Sequence, residues 1–122
     1  MITIDLYSEH YKGELEVVLI EKVGADNIVY EVRLFQADFS GIIDWIPYDE
    51  TSDPENLVRL LNIANNYGST FSLVVRLQEF YDQLLTIVDN LAPSDLQVYS
   101  AIKSICESAI EHENRLFIKR NS

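Results

Sequence analysis

The apolar residues change their spacing once along this 122-residue chain, and that change limits the folds it can adopt. Before residue 36 they alternate with polar residues, which is typical of strands that bury one face. After residue 56 they recur every three or four residues, as on the buried side of a helix. The sequence therefore predicts one α+β domain over residues 1–122, with strands mainly in 1–48 and helices mainly in 53–118.

Three runs of residues predict the strands. Ile2–Tyr7 alternates apolar and polar side chains, and Glu14–Glu21 and Ile28–Phe35 are rich in β-branched and aromatic residues. The last two runs are separated by the turn-like residues 22–27, so they predict an antiparallel hairpin. We expect an N-terminal antiparallel sheet of three or four strands. In the second hairpin strand, the face that should meet the core consists of Ile28, Tyr30, Val32 and Leu34.

Residues 41–46, GIIDWI, are the candidate for the fourth strand. Their spacing fits either a strand or a short helix. We favour an edge strand or an irregular segment, packed by Ile43, Trp45 and Ile46, because Pro47 follows and lacks a backbone donor.

A C-terminal layer of three helices should cover the apolar face of the sheet. The first helix is predicted to begin at Asp53, whose side chain can cap the free backbone amides. The second should begin near Ser69 or Ser72, and the third at the capping-box residue Ser94. The apolar stripe of the third helix predicts that it runs to Ile118.

The charge of the chain is strongly negative, with a net value of −11. Nucleic acids and anionic membranes are bound through clustered Lys and Arg, so this charge argues against both as partners. The charge is also uneven, because residues 1–60 hold 13 acidic and 4 basic residues whereas 61–122 hold 7 and 5. We therefore expect a basic protein partner that meets the N-terminal half.

The negative charge is densest in residues 36–56, QADFSGIIDWIPYDETSDPEN, which we call the acidic segment. No basic residue lies between Arg33 and Arg59. An alternative interpretation is that some acids serve helix capping and that the aromatic residues belong to the core. We favour a contact surface, because acids beside aromatic residues combine electrostatic steering with anchors. The predicted partner-binding residues are Asp38, Asp44, Trp45, Tyr48, Asp49 and Glu50.

No motif for catalysis, metal binding or nucleotide binding is present. His10 and His112 lie far apart and lack neighbours at metal-ligand spacing. Cys106 has no adjacent His and is predicted to be a buried structural thiol. The adjacent acids Asp49 and Glu50 lie in a polar stretch that does not separate their pKa values, as acid–base catalysis requires. We predict no catalytic residue, no metal and no cofactor.

The sequence also predicts where the protein works. Its single cysteine cannot form an internal disulfide, and the first twenty residues contain four acids where a signal peptide has basic and apolar regions. No apolar run reaches the length needed to span a bilayer. These features predict a cytoplasmic protein.

In its size, its negative charge and its lack of catalytic motifs or an export signal, the chain resembles the small acidic immunity proteins of bacterial toxin–immunity systems, including those of contact-dependent growth inhibition. This resemblance implies a protein that neutralises a cognate toxin, often a basic nuclease, by placing carboxylates where nucleic acid would bind. Two other classes stay open. A non-catalytic subunit or adaptor would bind through apolar surface, and an enzyme would show a deep pocket with convergent polar groups. The oligomeric state is left open.

Overall fold

Five strands and three α-helices make up the part of the chain that the structure describes. The computed structural model describes residues 1–46, 71–74 and 76–121. In chain order the elements are β1 (Ile2–Asp5), β2 (Glu16–Val23), β3 (Asn27–Phe35), α1 (Gln36–Ile43), β4 (Ser72–Leu73), α2 (Leu77–Ile87), α3 (Leu96–Glu111) and β5 (Arg115–Asn121). The predicted α+β class is confirmed.

The β2–β3 hairpin forms as the alternating pattern predicts. Its strands pair antiparallel from Glu16↔Phe35 to Val23↔Asn27. Gly24 lies in the turn with a φ of 68°, a left-handed conformation that glycine adopts without the steric cost of a Cβ atom. The predicted core face is also correct, because Tyr30, Val32 and Leu34 are buried, and Ile28 is half-buried.

The sheet differs from the predicted N-terminal antiparallel one. Its five strands lie in the order β1-β3-β2-β5-β4, and β1 runs parallel to β3. The strand β5 comes from the predicted helical region and pairs antiparallel with β2 along seven residue pairs. As a result β2 lies in the middle of the sheet, and its residues from Glu16 to Glu21 are buried on both faces.

The helices cover one face of this sheet. The helix α3 packs against β2 and β3, α1 packs beside it on the same two strands, and α2 packs against α3. The core between the layers includes Leu19, Val32, Phe39, Leu84, Ile102 and Ile105. Within the described residues, no helix combines the length and the apolar composition needed to cross a membrane.

Three predictions about the segments after residue 40 are wrong, and one lies outside the described residues. Part of residues 41–46 belongs to α1, so the prediction of an edge strand or irregular segment there is wrong. The second helix begins at Leu77, because residues 72 and 73 pair with β5 as strand β4. The helix predicted from Asp53 falls outside the described residues.

The third helix ends at Glu111, seven residues before the predicted end at Ile118. Glu113 adopts a left-handed φ of 55° and donates its backbone N–H to Ile110, while Asn114 donates to Ala109 over 2.9 Å. This pair of bonds is the Schellman ending of a helix, which usually has glycine at the left-handed position. Since Glu113 stands there instead, no glycine marks the end of this helix in the sequence.

Candidate functional site

The helix α1 carries Asp38 and is followed directly by Asp44 and Trp45, three of the predicted binding residues. Successive residues of a helix are about 100° apart, so its two sides can be assigned from burial. The core side consists of Phe39, Ile42, Ile43 and, just after the helix, Ile46. The solvent side carries the small exposed residues Ala37 and Gly41, next to exposed Asp44 and Trp45. Among the described residues, the side of α1 next to the indole therefore carries little side-chain bulk.

The exposure of Trp45 decides between two interpretations of the aromatic residues in this region. Phe39 is 1% exposed and belongs to the core, whereas Trp45 is 50% exposed. Core packing therefore accounts for Phe39 but not for Trp45. The other predicted binding residues, Tyr48, Asp49 and Glu50, lie outside the described residues.

Asp38 lines a groove of about 200 Å³ between the first turn of α1 and the start of α3. The carboxylates of Asp5 and Glu9 lie on the same groove, and its remaining walls include His10, Tyr11, Ser94, Gln97 and Val98. The structure thus places two acids from the segment around β1 beside Asp38 of α1. Sequence reasoning missed them because they precede the acidic segment by about 30 residues.

The acids of this groove differ in how their charge is compensated. Burial works against the charged form of Asp5, but hydrogen bonds from Ser8 and Tyr7 and the nearby Arg33 outweigh it and lower the Asp5 pKa. For Asp38, burial and then the charge of Asp95 raise the pKa. Within the described residues no cation lies at ion-pair distance from Asp38. Burial and the Asp95 charge both disfavour the charged form of Asp38.

Replacing Asp38 with Asn should stabilise the free protein at neutral pH. Because the folded-state pKa of Asp38 is raised, its carboxylate costs stability above that pKa and costs nothing below the unfolded-state pKa, where both states are protonated. The gain from Asp38→Asn should therefore be full at pH 7 and disappear as the pH falls through the range of carboxyl titration. Urea unfolding at several pH values measures it, and a loss of stability at pH 7 would show that the helix dipole, which favours a charge in the first turn, outweighs burial.

A second, larger cavity of about 430 Å³ lies at the other end of α3. It is bounded by the starts of β1 and β3, the end of β2 and the last turn of α3. Its lining residues are Ile2, Glu21, Val23, Val29, Tyr30, Ser108, His112 and Asn114. Burial, with a smaller contribution from the charge of Glu21, raises the pKa of Tyr30, and a hydrogen bond donated by the Ser104 hydroxyl opposes this rise.

Glu21 is the buried charged residue of this second cavity, and the sequence analysis did not single it out. Its side chain points to the helix-covered face, and the residue is 0% exposed. One carboxyl oxygen, Oε2, accepts a hydrogen bond of 2.6 Å from Asn114 Nδ2. The signal was present in the sequence, because Glu21 continues the alternation of Val17 and Leu19, the core side of β2.

His112, predicted to be a solvated surface residue, lies at the rim of the same cavity. Its side chain is 60% exposed, and Nδ1 lies 2.8 Å from the carbonyl oxygen of Ser108, to which it can donate a hydrogen bond. The distance from Nδ1 to Glu21 Oε2 is 3.9 Å. The imidazole is thus held mainly by its own helix.

The prediction of a buried thiol is confirmed. Cys106 is 0% exposed, and burial, with a smaller effect of Glu107, raises its pKa to about 12. A thiol with that pKa is protonated at neutral pH and is a poor nucleophile. Among the residues described by the structure, no group of three or more His, Cys, Asp or Glu side chains is arranged to hold a metal ion.

No protein-family model, curated protein or solved structure matches this chain.

Proposed function

We propose that this protein is an inhibitor of the immunity-protein type, which binds a basic toxin domain through an acidic surface centred on Trp45. The half-exposed indole of Trp45 is the observation that carries the proposal. Tryptophan is enriched among the few residues that dominate binding energy at protein interfaces. The large apolar ring is half-exposed beside an acid, and the neighbouring solvent side of α1 carries the small residues Ala37 and Gly41, so the ring is suited to enter a pocket of a partner.

The charges around Trp45 support a basic partner. Asp44 is exposed and Asp38 is half-buried, and neither has an ion-pair partner among the described residues. A Lys or Arg of the partner would compensate the Asp38 charge, which has no cation at ion-pair distance among the described residues. The acids of residues 1–60 would also attract a basic domain over a distance, which typically speeds association by about 10- to 1,000-fold.

The partner can be identified from the neighbouring genes. An adjacent gene should encode a large protein with a basic C-terminal domain, whose expression in bacteria stops growth. Coexpression of the present chain should restore growth.

With that domain in hand, association kinetics test the acidic surface. The variant with Asp38→Asn, Asp44→Asn, Asp49→Asn and Glu50→Gln should associate about tenfold more slowly, with a flatter salt dependence and little change in dissociation. A control variant removes the same charge from α2, α3 and the turn between them through Asp82→Asn, Asp89→Asn, Glu107→Gln and Glu111→Gln. If both variants associate at the same rate as the unchanged protein, the acids do not steer the partner and the contact surface lies elsewhere.

The same kinetic measurements test whether Trp45 anchors the partner. Trp45→Ala should raise the dissociation rate about 30-fold, equivalent to about 2 kcal/mol, whereas Leu85→Ala, which truncates another exposed apolar side chain, should leave it unchanged. Gly41→Gln is a second arm. A Cβ atom at Gly41 meets no atom within 4 Å, so this variant should fold well and yet obstruct the partner. Unchanged binding by both Trp45→Ala and Gly41→Gln would exclude α1 from the interface. Binding that does not depend on salt concentration would instead favour the alternative function, a non-catalytic subunit or adaptor that binds through apolar surface.

A further inference from the structure

The cavity around Glu21 has the composition of a small-molecule site and is separate from the proposed interface. Its volume of about 430 Å³ falls within the range of about 300–1,000 Å³ that is usual for such sites. The apolar side chains of Ile2, Val23 and Val29 line it together with the buried carboxyl group of Glu21. The groove that contains Asp38 lies at the opposite end of the 16-residue helix α3, which is about 24 Å long.

Among the described residues, only one of the two carboxyl oxygens of Glu21 has a hydrogen-bond partner. Asn114 donates to Oε2, and the second oxygen, Oε1, is buried without a hydrogen-bond partner among the described residues. Burying a charged or polar group without such a partner is destabilising, so buried carboxyl groups normally have all their oxygens engaged. The unused acceptor of Glu21 is therefore an observation independent of the cavity itself.

The surrounding groups favour a positively charged ligand. Nδ1 of His112 is engaged with the Ser108 carbonyl and lies 3.9 Å from the other oxygen, Oε2. The described residues place no Lys or Arg at ion-pair distance from Glu21. An anionic ligand would meet an uncompensated carboxylate in a protein of net charge −11, and a metal ion would find a single carboxylate.

We propose that this cavity binds a small organic ammonium compound, a primary amine on a short apolar body. On binding, the Glu21 side chain turns Oε1 toward the cavity, where the ammonium N–H donates to it and compensates its charge, and the apolar body packs against Ile2, Val23 and Val29. Binding involves no covalent step.

Phenethylamine is the probe for this site, and phenethyl alcohol, with the same apolar body and no charge, is its matched control. Titration followed by ¹H–¹⁵N correlation spectra should give saturable shifts at the backbone amides of Glu21 and Asn114. Binding of the alcohol should be weaker by about tenfold or more, because it lacks the charge-assisted hydrogen bond.

Three variants complete the experiment. Glu21→Gln should abolish the preference for the amine, whereas Glu31→Gln, which removes the same charge from the opposite face of the sheet, should keep it. Val23→Trp fills the cavity from an exposed position without changing Glu21, so it should abolish binding even if Glu21→Gln fails to fold. The proposal is overturned by equal binding of amine and alcohol, by shifts spread over the acidic surface, or by the absence of saturable shifts.

Discussion

A chain that ends after Asn114 should fail to fold. It lacks β5, which pairs with β2 from Glu16↔Asn121 to Lys22↔Arg115 and also holds β4. It also lacks Leu116 and Ile118, which are 1% and 3% exposed in the core. Burying such a side chain contributes about 1.5–3 kcal/mol, and a whole domain is stable by about 5–15 kcal/mol. The loss of two core residues and one side of the central strand should exceed that margin.

Circular dichroism of fragment 1–114 during heating checks this expectation. Single substitutions in β5 measure smaller effects on stability. Ile118→Ala should cost about 2–5 kcal/mol. Arg115→Ala, at an exposed position of the same strand, should change stability by less than about 0.5 kcal/mol. A soluble fragment with a cooperative thermal transition would contradict the central place of β5.

Replacing Arg33 with Met should destabilise the protein by about 3 kcal/mol. Arg33 Nε donates to Glu16 Oε2 over 2.5 Å, and this bond, followed by the charges of Glu16 and Asp5, raises the Arg33 pKa against the effect of burial. Glu16 is only 3% exposed. Removing the guanidinium leaves a buried carboxylate whose remaining partner among the described residues is the Asn121 amide, 2.9 Å from Oε1.

The double variant Glu16→Met with Arg33→Met separates the buried charge from the lost packing. In the double variant both charged groups are replaced by apolar side chains of similar length, and most of the stability should return. Removing one partner of a buried ion pair leaves an uncompensated charge in the core, whereas replacing both partners leaves none. Urea unfolding of the two single variants and the double variant gives the coupling energy. If the double variant is no more stable than Arg33→Met, the uncompensated Glu16 charge is not the cause.

The hairpin was predictable because its information is local. Alternation along Asn27–Phe35 fixes the buried face, and the Gly24 turn fixes the pairing of adjacent strands. The helix α1 lacks comparable local signals. Phe35 precedes it without a side-chain cap, and Gly41 and the β-branched Ile42 and Ile43 are weak helix formers. Its stability comes from burying Phe39, Ile42 and Ile43 on the sheet, which the local sequence does not show.

The strand β5 was missed for a related reason. Leu116 continues the apolar stripe of α3, so the helical spacing of apolar residues extends past Glu113. The competing signal is the alternation of buried Leu116 and Ile118 with Arg115 and Phe117, which has meaning only beside a strand formed almost a hundred residues earlier. The pairing of two strands that lie so far apart in the sequence cannot be recognised from a short stretch of neighbouring residues.

The two candidate sites also differ in whether their residues are close together in the sequence. Asp38, Asp44 and Trp45 are close in sequence, so charge and aromatic content alone selected them. Glu21 and Asn114 are 93 residues apart and meet only because β5 follows α3 directly into the sheet. An acid at a core position of a predicted strand is the sign of such a site that the sequence offers.

The pairing of β2 with β5 also affects how the protein is made. Glu16 and Asn121 are separated by 105 residues, so the centre of the sheet cannot close while a ribosome is still translating the region between them. At about 5–20 residues per second, β2 waits roughly 5–20 s after its own synthesis for its neighbour. During that time an apolar strand has one unpaired edge, which favours contact with other nascent chains or with chaperones. Translation speed over the helical region should therefore influence how much of this protein reaches the native state.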